Sequence, residues 1–131
     1  MSISAVIIDT NVLVASEFNP KSHSAQIVKQ VRSGQLRMIW SEQTRDEAKL
    51  IVDKIPPLSW TAIAGLFHPA DCYNGALFPK RFQQIADSSD IKFAALSDAT
   101  GAPLITMDQG LLSARDTLAV PMLMPFEFLA L

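Results

Sequence analysis

The chain is poor in the residues that staple or ligate. Among 131 residues there are one cysteine and two histidines. A single cysteine, Cys72, excludes an internal disulfide and fits a reducing compartment; it reads as a small core or loop residue. His23 and His68 lie far apart, with no cysteine or histidine at zinc-ligand spacing, and each reads as a surface or helix-end residue. No uninterrupted apolar run approaches the roughly 18 residues of a membrane span. The apolar amino terminus has no basic stretch before it and soon meets Asp9, which is unlike a secretion signal. A soluble, cytoplasmic protein is expected. One-sided charge is also missing: 11 basic against 13 acidic residues leave a net charge of −2. No global basic field advertises nucleic acid, although an acidic site subtracts charge locally and can hide a basic rim.

What is present is a folding composition, with 49% hydrophobic and 18% charged residues. It is neither a disordered chain nor a coiled coil. The length suits one domain over residues 1–131, large enough to bury a core without staples. There are no internal repeats, linkers or low-complexity tracts.

Two apolar runs each end in an aspartate. Residues 3–8 lead into Asp9, and residues 102–107 lead into Asp108. In an alternating α/β chain such runs read as buried parallel strands, whose carboxyl ends share one edge of the sheet, where open α/β folds carry their sites. Two carboxylates there repel unless a cation or a shared proton lies between them. A metal–carboxylate site is the leading expectation.

Between these runs the pattern predicts a short helix from Val12, broken at Asn19-Pro20, and a helix over 23–33 capped by Ser22 and closed by Gly34. A second strand is expected over 36–40 and a third helix over 41–55, stopped by Pro56-Pro57. A fourth helix is expected over 60–67. Residues 68–82 allow a short strand and then a loop. A fifth helix is predicted over 90–100, with Gly101 as its stop. Val120–Met124 reads as an edge strand because Pro121 lacks a ladder donor, and Pro125 opens a last helical turn. The sum is an α/β/α sandwich on a mostly parallel sheet.

Two further acids resist an ordinary explanation. On a helical wheel of the third helix, Glu47 shares its side with Leu50, Ile51 and Ile55, whereas Arg45, Asp46, Lys49 and Asp53 gather opposite. An unpaired acid on an apolar face is costly; the alternatives are a snorkelling glutamate or an ion pair with Lys54. Asp90 opens a helix whose body, Phe93-Ala94-Ala95-Leu96, is apolar nearly all round. It also suits the helix dipole there, with Asp87, Ser88 and Ser89 as possible caps. Asp9 and Asp108 have turn or capping roles as their alternative. Thr10, Asn11 and Thr106 are either caps or donors that hold carboxylates in place.

In order along the chain, these residues resemble the four motifs of the PIN-domain ribonucleases. Asp9-Thr10-Asn11-Val12-Leu13-Val14 is similar to the first motif, and Ser41 followed six positions later by Glu47 to the second. Asp87-Ser88-Ser89-Asp90-Ile91-Lys92-Phe93-Ala94-Ala95-Leu96 is similar to the third and Leu104-Ile105-Thr106-Met107-Asp108 to the fourth. Residues 120–129 resemble the closing strand and helix of the VapC-like toxin components of bacterial toxin–antitoxin systems. The resemblance implies a PIN-like fold with Asp9, Glu47, Asp90 and Asp108 as an acidic tetrad that is catalytic and binds Mg²⁺ or Mn²⁺. It further implies cleavage of single-stranded RNA to 5′-phosphate and 3′-hydroxyl ends, a cognate antitoxin and a homodimer. Three positions depart from the pattern: Ile91 and Gly110 stand where further acids are common, and Met107 where a small or polar residue is.

Oxygen ligands without histidine or cysteine suit Mg²⁺ or Mn²⁺. On this reading Asp9 and Asp108 hold the main ion with help from Asp90, and Glu47 orients or deprotonates the attacking water. Arg45, Lys49, Lys80, Arg81, Lys92 and Arg115 are candidates for RNA contact, set against ordinary solvated charges. Trp40 and Trp60 read as core or dimer-interface residues rather than base-stacking platforms. The rival is a PIN-fold module that binds RNA or protein without cutting, favoured by Ile91 and Gly110. A phosphoacceptor receiver domain wants a lysine where Met124-Pro125 stand, and an aspartyl-nucleophile phosphohydrolase wants an aspartate at Asn11.

Overall fold

The computed structural model describes residues 3–131. Four short strands, β1 (Ala5–Ile8), β2 (Arg37–Met38), β3 (Leu104–Ile105) and β4 (Met122–Leu123), form one sheet in the order β2-β1-β3-β4. Every pairing is parallel, with Val6 opposite Met38, Ile8 opposite Ile105, and Ile105 opposite Leu123. All four carboxyl ends therefore lie along one edge.

Successive strand residues point to opposite faces, and burial follows that alternation. Val6, Ile8 and Ile105 join one cluster with Val12, Ile27, Val31, Ala48, Val52 and Phe128. These come from helices α1 (Thr10–Phe18), α2 (His23–Arg32), α3 (Glu42–Asp53) and, after α4 (Trp60–Ala64), from the closing α8 (Pro125–Leu129). Ile7, Leu104 and Met122 join the other cluster with Phe93, Leu96, Leu111 and Leu118. Those belong to α5 (Ile91–Thr100), α6 (Gln109–Ser113) and α7 (Arg115–Leu118). The chain is thus an α/β/α sandwich around an all-parallel sheet. Among the described residues, no helix is long and apolar enough to cross a membrane.

Local chemistry fixes the element ends. The Ser22 hydroxyl accepts the Ala25 amide and caps α2, and Ser41 and Thr44 form a reciprocal capping box on α3. Gly101 closes α5 with φ 75°, a left-handed value that costs a glycine little. β4 is an edge strand, and the Pro121 carbonyl accepts the Leu104 amide.

Several expectations need correction. The strands are shorter than the apolar runs that announced them: β1 has four residues and β2, β3 and β4 two each. Residues 68–82 contain no strand: two 3-10 turns, Pro69–Asp71 and Pro79–Phe82, flank one isolated parallel bridge from Cys72 to Trp40. Helix α1 starts at Thr10, directly after Asp9, rather than at Val12. Helix α4 ends at Ala64 rather than Phe67. Helices α6 and α7 were not foreseen, since Gly110 and the polar residues around Arg115 hid them. The tryptophans serve the core: Trp40 donates to the His68 carbonyl at 2.8 Å, and both rings pack on Phe67.

Candidate functional site

The carboxyl edge of the sheet gathers the acids. Asp9 follows β1 and is only 3% exposed. Its backbone amide bonds to the Ile105 carbonyl, which extends the β1–β3 pairing to the acid itself. The Thr106 hydroxyl, fully buried one residue past β3, donates to Asp9 Oδ2 at 2.8 Å. The same hydroxyl oxygen accepts the Asp108 amide at 3.1 Å. Thr106 therefore ties two of the predicted acids to one another through a single side chain.

Asp108 stands at the N-cap of α6, where Oδ1 accepts the Leu111 amide at 3.0 Å. The capping role is real, and it leaves the aspartate on the sheet edge beside Asp9. A Cβ at Gly110 would stand 3.0 Å from Asp108 Oδ1, so a side chain there would ask that carboxylate to shift by a few tenths of an ångström.

Glu47 reaches the edge from α3. Thr10 Oγ1 donates to Glu47 Oε2 at 2.9 Å, and the Lys92 ammonium meets Oε1 at 2.7 Å. The pair partner is Lys92 from α5, not Lys54. The buried stripe of α3 is Thr44, Ala48 and Val52, which sits well round the wheel from where the apolar side chains placed it. Leu50, expected inside, is 57% exposed. Thr44 reads as polar and Ala48 as neutral, so the wheel was drawn towards the larger Leu50. Glu47 consequently lies at the border of the buried face, within reach of α5.

Asp90 ends a 3-10 turn, Ser88–Asp90, that leads straight into α5, and its side chain makes no cap bond. Asp87 takes the capping role, accepting from Ser89. Burial, followed by the charges of Asp108, Asp9, Asp87 and Glu47, pushes the Asp90 carboxyl up to about 7. Asp9 is also raised, chiefly by burial, with Glu47 and Asp108 adding to it while the Thr106 hydroxyl and the Asn11 amide pull it back. Asp9 and Asp90 are thus both raised in part by the carboxylates around them. Among the described residues, however, no three histidine, cysteine or acidic side chains are gathered into a group that could hold a metal ion on its own.

The supporting residues divide. Thr10 and Thr106 hold carboxylates as expected. Asn11 is exposed, and its contribution to Asp9 comes from the backbone amide. Of the six cations, Lys92 is turned inward onto Glu47 and the Ser89 carbonyl. Arg115 is held by Glu127 and the Met122 carbonyl. Arg45 lies over the Trp60 ring, Lys49 pairs with Asp53, and Arg81 pairs with Asp98 beside the Phe78 ring. Lys80 is exposed and, among the described residues, has no ion pair within 4.0 Å.

Next to Glu47 an open cleft of about 670 Å³ runs between α3 and α5, with Leu50, Leu77, Pro79 and Ile91 as its apolar walls and Lys92 at its inner side. Ile91 thus has a packing role in place of the acid common there. Sequence reasoning offered Lys92 as an RNA-contact candidate or an ordinary solvated charge, yet a signal for its place beside Glu47 exists. It is the one basic residue of α5 and stands directly before the apolar run Phe93-Ala94-Ala95-Leu96, an anomaly of the kind that singled out Glu47. Comparison of the chain with protein-family models, curated proteins and solved structures gave no match.

Proposed function

We propose that this chain is a PIN-type endoribonuclease that hydrolyses phosphodiester bonds of single-stranded RNA with Mg²⁺ or Mn²⁺. The observation that carries the reading is the convergence of Asp9, Glu47, Asp90 and Asp108 from four separate elements, with Asp90 pushed up to about 7 by burial and by the other acids. The donor set is all oxygen, which suits a hard divalent ion. Among the described residues the acids are not gathered into a group that holds an ion by itself, so Asp9, Asp90 and Asp108 would have to draw together on the ion to hold it, and Mg²⁺ keeps several waters, so few protein ligands are needed. When bound, the ion lowers the pKa of a coordinated water and offsets charge on the phosphoryl oxygens.

The chain's own residues set the geometry. Thr106 fixes one Asp9 oxygen, and the Leu111 amide fixes one Asp108 oxygen. Thr10 and Lys92 hold Glu47 where it can orient an attacking water or accept its proton. Lys80 is exposed on the turn whose Pro79 lines the cleft and, among the described residues, has no ion pair within 4.0 Å, which leaves it available to RNA phosphates. A cytoplasmic location, a homodimer and a cognate antitoxin, as in the VapC-like toxins, belong to the same proposal.

The second reading is a PIN-fold module that binds RNA or a protein partner without cutting. It is favoured by Glu47, both of whose oxygens are already engaged by protein donors. The deciding experiment incubates purified protein with end-labelled single-stranded RNA, with Mg²⁺, with Mn²⁺ and with EDTA. Cleavage that requires metal and falls about a hundredfold or more in Asp9→Asn supports the nuclease. Equal cutting by wild type and Asp9→Asn removes it, and RNA retention without cleavage supports the binding module.

A further inference from the structure

We infer that the small pocket beside Asp108 receives one nucleobase of the RNA strand and stacks it on the Phe126 ring. The inference rests on the RNA-directed reading above and gives that strand a second hold, away from its phosphates. The pocket encloses about 190 Å³ where α1, α2 and α8 meet the carboxyl edge. Ala15, Ser22, His23, Met107, Met124 and Phe126 are among its walls. Two of these belong to the edge itself. Met107 stands in the chain between Asp108 and Thr106, whose hydroxyl holds Asp9, and Met124 follows β4 directly. Met107 is also one of the departures from the resembled motifs, a methionine where a small or polar residue is common, and it is 36% exposed.

The lining selects the occupant. Among the described residues no acid, lysine or arginine lines the pocket, so a phosphate finds no charged partner there. The cleft at Glu47 and Lys92 differs in carrying charge of both signs. In the pocket Phe126 is 50% exposed, and the exposed His23 ring lies beside it, centroids 6.4 Å apart and planes tilted by 51°. Methionine sulfur adds a soft, polarizable wall that suits an aromatic ring. Single-stranded RNA is held in this way, by unstacked bases laid on phenylalanine or histidine rings. The volume falls below the roughly 300–1,000 Å³ of pockets that enclose a drug-sized molecule. It leaves room for one flat ring system and not for a whole nucleotide. A base seated against Met107 therefore keeps its sugar and phosphate outside the pocket, at the edge that carries Asp108.

Fluorescence anisotropy measures binding of short random-sequence RNA and of an abasic ribose–phosphate strand of the same length. Asp9→Asn serves as the background throughout, with Mg²⁺ present, so that strands bind without being cut. With Phe126 intact, the RNA is expected to bind about tenfold or more tightly than the abasic strand, on the scale of one stacked base. Phe126→Ala should lose about tenfold on RNA and less than about twofold on the abasic strand, and Phe126→Trp should keep the RNA affinity. Phe126→Leu retains an apolar side chain without the ring face, and it should lose most of the same preference even where Phe126→Ala fails to fold. RNA affinity unchanged within about twofold in both Phe126→Ala and Phe126→Leu overturns the subsite while leaving RNA binding in place. Equal losses on RNA and on the abasic strand overturn it as well, because the ring would then act on the fold and not on a base. No RNA bound with Phe126 intact overturns the RNA-directed function itself.

Discussion

Helix α3 carries two lysine–carboxylate pairs of the same length. Lys49 meets Asp53 on its outer face at 2.7 Å, and Glu47 on its inner border meets Lys92 of α5, also at 2.7 Å. The outer side chains are 49% and 47% exposed and the inner ones 20% and 17%. Distance does not separate the two; surroundings do. In water the outer pair gains little over two hydrated ions. At the inner pair both charges are already stripped of much of their water, so each depends on the other. The inner pair also crosses between two helices far apart in sequence, and it lies where three other acids converge. One pair decorates a helix; the other decides how α3 and α5 meet at the site.

Breaking the inner pair should have the largest effect. Lys92→Met keeps the aliphatic stem but leaves the partly buried Glu47 carboxyl short of its cation. A loss of about 2 kcal/mol is expected in urea denaturation at pH 7 with EDTA. Adding Glu47→Gln should recover much of it, giving a coupling of about 1–2 kcal/mol in the double-mutant cycle. A coupling near zero would mean that the pair is no stronger than its surface counterpart.

Thr106→Val tests the link between Asp9 and Asp108 at nearly constant volume. It removes the hydroxyl that serves both, and about 1–2 kcal/mol of stability should go with it. Thr106→Ser retains the hydroxyl and should lose clearly less. Equal losses in the two variants would assign the effect to the methyl group and its packing.

Asp90 sharpens the comparison from the other side, as an acid with acids for neighbours and, among the described residues, no ion pair within 4.0 Å. Its folded-state pKa, about 7, stands above the ordinary 3.8. The protonated form is therefore favoured on folding, and that contribution is fully present below about pH 3.8 and lost as pH rises through about 7. In EDTA, Asp90→Asn should melt above wild type at pH 8, and the gap should close towards pH 5. A gap that does not change with pH would show that neither burial nor the neighbouring acids raise the Asp90 carboxyl. Asp108→Asn is a less clean probe of the same repulsion, since its carboxylate also caps α6.

The sequence carried the frame of this site better than its wiring. Asp9 and Asp108 were legible because apolar runs ended on them, and a parallel sheet sends such ends to one edge. Asp90 was legible from the apolar helix it opens. The partner of Glu47 was not, because periodicity reports which face of a helix is inside and not which helix lies opposite. The wheel itself turned too far because Thr44 spends its polarity on the capping box and is buried all the same. The unpredicted α6 begins at Asp108, whose carboxylate starts a helix that Gln109-Gly110 would not announce. Region 68–82 has no periodicity to read: its order comes from two turns and one bridge to Trp40.

The smallest effect is expected at the outer pair. Lys49→Ala removes an i,i+4 partner from Asp53 on an exposed helix face. Such pairs contribute about 0.3–0.5 kcal/mol at low salt, and alanine's higher helix propensity returns a part of that. A net change below about 0.5 kcal/mol is expected, shrinking further at 1 M salt, where screening is effective over about 3 Å. The inner pair, out of reach of most counterions, should keep its coupling in the same salt. Running Lys49→Ala and Lys92→Met side by side at low and high ionic strength therefore separates burial from distance as the cause. If both losses fell equally with salt, Lys92 would be an ordinary surface cation, and the organisation of the site around its pair with Glu47 would have to be given up.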